Sequence, residues 1–96
     1  MMQQIYVLQG YGTIDPNWVQ SCLHLFKDGQ VNLRKVVLLK NQDPVRFSML
    51  EIHFALPKTP SEPTQDERLN HPFIAQLQAA LAQQVWQHHS LRVNPN

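Results

Sequence analysis

Apolar and polar positions along the chain change period several times, and each change marks an element. Ile5-Tyr6-Val7-Leu8 is a short apolar run that predicts a first strand, followed by a turn at Gly10-Tyr11-Gly12. From about Asp15 to Asp28 the spacing becomes helical, with Trp18, Cys22, Leu25 and Phe26 on one stripe and Val19 beside them. Val31 to Lys40 and Arg46 to Leu56 then carry two long strand signals. A second helical stripe follows near Phe73 to His88 through Ile74, Leu77, Leu81 and Val85, and Leu91-Arg92-Val93 closes the chain as a short strand. The order is β-α-β-β-α-β. Two right-handed crossovers interleaved in this way give a four-stranded antiparallel sheet with both helices on one face.

Local punctuation supports these boundaries. Asp15 is suited to cap the first helix, Pro16 to fill its first position, and Ile14 to staple onto Val19. Gly29 is expected to end that helix as a left-handed cap. Leu50, Ile52, Phe54 and Leu56 alternate with Phe47, Met49, Glu51 and His53, and the first set is assigned to the core. Asn41-Gln42-Asp43-Pro44 reads as a turn, and Pro57 to Asn70, with three prolines, as a long mobile loop. Asn70 or His71, then Pro72, open the second helix. The fold class is therefore α+β: a ferredoxin-like sandwich, with residues 1–96 as one domain.

Bulk properties narrow the function by exclusion. Eight basic and seven acidic residues leave a formal charge of +1, too weak a field to demand a nucleic acid or an anionic membrane. One cysteine, no apolar run of about 20 residues and no signal-like N-terminus fit a cytoplasmic protein without a membrane span.

Candidate chemistry is sparse. The five histidines, His24, His53, His71, His88 and His89, lack Cys or carboxylate companions at ligand spacing, so no metal site is expected. His88 and His89 are placed at the end of the second helix, where its dipole favours them. Cys22 lies on an apolar stripe without a flanking base and reads as a buried structural thiol. Gly10-Tyr11-Gly12 lacks the third glycine of a dinucleotide fingerprint, though a strand-to-helix turn there would offer backbone N–H groups to a small anion. No catalytic constellation and no cofactor are implied, and the chain reads as a regulatory or binding domain.

Tyr6-Val7-Leu8, Gly12 shortly before Pro16, and Val31-Asn32-Leu33 after a helix ended by Gly29 resemble an ACT-type amino-acid-sensing domain. The likeness extends to the ACT region of some phosphoserine phosphatases, through Leu56-Pro57 and the closing Leu91-Arg92-Val93. It implies a regulatory module that binds an amino acid between two copies of a homodimer. Carried onto this chain, the ligand contacts are Gly10, Tyr11, Gly12, Thr13, Ile14, Asp15 and Asn32. The chain departs from the family in its turn, where Ile14-Asp15-Pro16-Asn17 replaces an acidic-basic-Pro-Gly run, and in Trp18 at a position usually held by a smaller aliphatic residue.

Two other functions share this topology. An RNA-recognition motif would stack bases on Tyr6 and Phe47, but Phe47-Ser48-Met49-Leu50-Glu51 puts an acid where stacking should occur. An acylphosphatase-like enzyme would need an arginine between Gly10 and Asn17, and none is there. The apolar Val36-Val37-Leu38-Leu39, on a strand expected at the sheet edge, points to a homodimer, formed by strand pairing or by stacking of the open sheet faces expected to bear Phe47 and Met49.

Overall fold

The computed structural model describes residues 3–40, 46–57 and 71–94. The expected turn at Asn41–Pro44, the expected loop at 57–70 beyond Pro57 itself, and Pro95 lie outside them. Six elements follow in order: β1 (Gln3–Ile14), α1 (Pro16–Asp28), β2 (Asn32–Lys40), β3 (Phe47–Pro57), α2 (Pro72–Leu81) and β4 (Trp86–Val93). The strands form one antiparallel sheet in the order β2-β3-β1-β4. The ferredoxin-like arrangement read from the sequence is the one observed. Register fixes its two ends: Asn32, Ala55 and Ile5 lie level at one end, Lys40, Phe47 and Ile14 at the other.

One buried cluster contains Tyr6, Leu8 and Ile14 from β1, Leu50, Ile52, Phe54 and Leu56 from β3, Val19, Cys22 and Phe26 from α1, and Phe73, Ile74, Leu77 and Leu81 from α2. Both helices therefore cover the same sheet face. Phe26, Phe54 and Phe73 meet edge to face at centroid separations of 4.9–5.8 Å, an arrangement that adds to the burial of each ring. The core face assigned to β3 holds. Phe47 does not follow the outward set: irregularities at Tyr11/Ile14 and Leu39/Lys40 bring it level with buried Ile14, where it packs against the core.

Four local expectations are corrected. Gly10-Tyr11-Gly12 is not a turn but the continuation of β1, which is paired on both sides as far as Tyr11, with Gly12 paired to Trp86 of β4. The second helix stops at Leu81, seven residues before His88, and Val85 is 86% exposed rather than part of an apolar stripe. His88 and His89 consequently stand on β4, pairing across from Tyr11 and Gly10, and not at a helix terminus. Gly29 has φ −80 and ψ −2, a right-handed conformation, while Gln30 takes the left-handed one at φ 55. Val31 N–H donates to Phe26 O (2.9 Å) and Gln30 N–H to Lys27 O (3.1 Å), a Schellman closure with its left-handed residue one place later than the glycine. Gly29 is small for a different reason: a Cβ there would stand 3.2 Å from the Phe73 ring.

Candidate functional site

β1 runs straight into α1. Ile14 is fully buried and anchors the strand end, and Asp15, extended at φ −74 and ψ 125, begins the helix. Its Oδ1 accepts from Asn17 N–H (2.9 Å), the N-cap role expected of it, and Pro16 takes the first helical position. Just before, a bulge between Tyr11 and Gly12 shifts the β1–β4 register, and Gly12 adopts φ 155, which disfavours any side chain.

The opposite wall is the α2–β4 junction. Trp18 Nε1–H donates to Ala80 O (2.8 Å) and Trp86 Nε1–H to Leu81 O (2.9 Å), so two indoles engage carbonyls of the last helical turn. The two rings meet edge to face, 5.3 Å apart at 83°. Between the junctions lies Gln84. Its Nε2 donates to Thr13 O (2.9 Å) and to Val85 O (3.0 Å), and its Oε1 accepts from Asp15 N–H (3.5 Å).

The seven candidate residues thus separate. Thr13 and Asp15 present backbone groups at the junction, with Gly12 beside them. Gly10 is buried under the Trp86 ring and Ile14 in the core. Tyr11 is 40% exposed on the sheet face away from the helices, stacked on His88 at 6.3 Å. Asn32 is exposed at the other end of the sheet, level with Ile5. At about 3.3 Å per residue, some 25 Å of strand separate that level from Thr13. One chain does not bring all seven together. Gln84 and Trp86 went unread in the sequence because both were absorbed into an overlong second helix. Glycine at position 10, inside a strand, is the signal that a bulky neighbour approaches the backbone there.

Two further features lie outside the junction. On the open sheet face, Glu51 accepts from His53 Nε2 (2.6 Å) and Gln9 Nε2 (3.0 Å). The His53 hydrogen bond chiefly holds the Glu51 carboxyl below its usual range; partial desolvation opposes this, and His53's charge, Gln9 and Lys35 reinforce it. Between α1 and α2 a groove of about 320 Å³ is lined by Trp18, Leu25 and Ala79, with Cys22 at its floor. Burial pushes the Cys22 thiol up to about 12, as expected of a structural cysteine. Among the described residues, no group of three His, Cys, Asp or Glu side chains is placed to hold a metal ion. No helix among them is long and apolar enough to cross a membrane.

The base-stacking surface imagined for RNA is not formed. Tyr6 is 4% exposed and stacks on Phe54 at 5.4 Å beneath the helices, and Phe47 also turns to that side.

No family model and no curated protein matches this sequence. A solved structure does: a formyltetrahydrofolate deformylase from Pseudomonas putida KT2440, at TM-score 0.51 and 9% identity over 99% of this chain. The chain spans 29% of the length of that structure. At this identity the likeness concerns the fold, which the two share.

Proposed function

We propose that the chain is an ACT-type regulatory module that binds an amino acid at the interface of a homodimer. The observation that carries this reading is the relation between Asn32 and the β1–α1 junction. They lie at opposite ends of one sheet, yet β2, which bears Asn32, is the edge strand and stands largely exposed, with Leu33, Val36 and Leu39 at 38–51%. A second copy pairing antiparallel along β2 would place its own Asn32 beside this chain's Lys40, at the end where Thr13 and Asp15 open to solvent. The site would then be completed across the two-fold, as amino-acid sensing between copies requires. Fold-level likeness to a portion of a larger enzyme is in keeping with a module that serves an enzyme.

In this reading Asp15 N–H donates to the ligand carboxylate, Thr13 O accepts from its ammonium group, and the partner's amide side chain at position 32 reads its polar end. So few contacts correspond to micromolar to millimolar affinity, roughly −4 to −8 kcal/mol. A thermal-shift panel of the twenty amino acids, serine and glycine first, tests it. One amino acid is expected to raise the melting temperature of the native chain and to lose that effect in Asn32→Ala and Gly12→Val. A panel in which no amino acid shifts the transition rejects the ligand reading.

A further inference from the structure

The β1–α1 junction already holds a small polar group, the carboxamide of Gln84. Both of its amide protons and its oxygen are engaged: Nε2 with Thr13 O and Val85 O, Oε1 with Asp15 N–H. Asp15 N–H and Thr13 O are also the groups that an amino-acid carboxylate and ammonium would take. The carboxamide oxygen stands in for a carboxylate oxygen, and its NH₂ for the ammonium. Resting on the amino-acid reading above, we infer that Gln84 is a built-in competitor for the ligand, so that occupation of the junction requires its carboxamide to leave.

Placement supports displacement rather than a fixed structural role. Gln84 is half-buried, whereas its neighbours Gln83 and Val85 are exposed. Its side chain folds back over the junction instead of extending into water. Leu81 is buried and Trp86 is held by its indole bond, so the intervening residues 82–85 bridge two fixed points. The Oε1 contact, at 3.5 Å, is the longest of the three and the first to yield to a charged carboxylate, a stronger acceptor for the same N–H. Departure of the carboxamide also releases Val85 O, which couples ligand binding to the backbone leading into β4. Apparent affinity in the native chain is reduced by the fraction of time the junction is open.

The test uses the full chain with serine, glycine and propionamide as probes. In Gln84→Ala, the amino acid that stabilises the native chain is expected to bind at least tenfold tighter. Propionamide, which restores the missing carboxamide, is expected to raise the melting temperature of Gln84→Ala and leave the native chain unchanged. Equal amino-acid affinity in the two proteins, together with no selective effect of propionamide, overturns the inference. If propionamide stabilises Gln84→Ala alone and no amino acid stabilises either protein, the seat of Gln84 stands and the amino-acid reading falls. Should Gln84→Ala fail to fold, Gln84→Met keeps the length of the side chain without its polar atoms. Hydrogen exchange of the Asp15 amide is then expected to quicken about tenfold, and unchanged exchange overturns the inference.

Discussion

The Trp86 ring packs closely against the backbone of Gly10 from the neighbouring strand: a Cβ added at Gly10 would stand 2.6 Å from Trp86 Cε3. The indole has little freedom to retreat, because its Nε1–H is bonded to Leu81 O and its ring abuts Trp18. Gly10→Ala should therefore destabilise the fold by overpacking, by about 1–3 kcal/mol. Trp86→Leu leaves space for that methyl, so the double variant should be more stable than the sum of the single losses predicts. Urea denaturation of the four proteins measures the coupling. Simple additivity would show that the two residues do not compete for one space.

Stability should depend on Glu51 in acid. Its carboxyl is held below the ordinary value of 4.5, chiefly by the hydrogen bond from His53. A depressed carboxyl contributes stability above its unfolded value and loses it as pH falls toward the folded one. The native melting temperature should thus fall more steeply than that of Glu51→Gln as the pH drops below 4.5. Parallel curves for the two proteins would assign the acid loss to other groups.

Cys22 should be inert in the folded chain. With its thiol raised to about 12 and only 1% of the residue exposed, almost no thiolate is present at neutral pH. A disulfide reagent should label it orders of magnitude more slowly in buffer than in denaturant. Equal rates would mean that the groove between α1 and α2 opens freely onto the sulfur.

Elements whose signals are local were legible in the sequence. Asp15-Pro16 marked the start of α1, His71-Pro72 that of α2, and the alternation Leu50, Ile52, Phe54, Leu56 identified the buried face of β3. The misreadings share a cause: a residue chosen for a tertiary contact was read as local punctuation. Gly10 accommodates an indole and not a turn. Gly29 makes room for Phe73 while Gln30 supplies the left-handed closure. Val85 continued an apolar spacing that the chain had left at Leu81. Thr13 and Asp15 were found as candidate contacts, but nothing in the local pattern revealed that Gln84 occupies the space beside them.

A site shared between copies is tested most directly by sedimentation velocity across micromolar concentrations, with and without the amino acid selected by the thermal panel. An exposed apolar β2 predicts a reversible dimer, and a ligand held between copies predicts that the amino acid strengthens it. Asn32→Ala should abolish the strengthening and leave the unliganded dimer intact. A chain that remains monomeric at every concentration, liganded or not, would contradict the account.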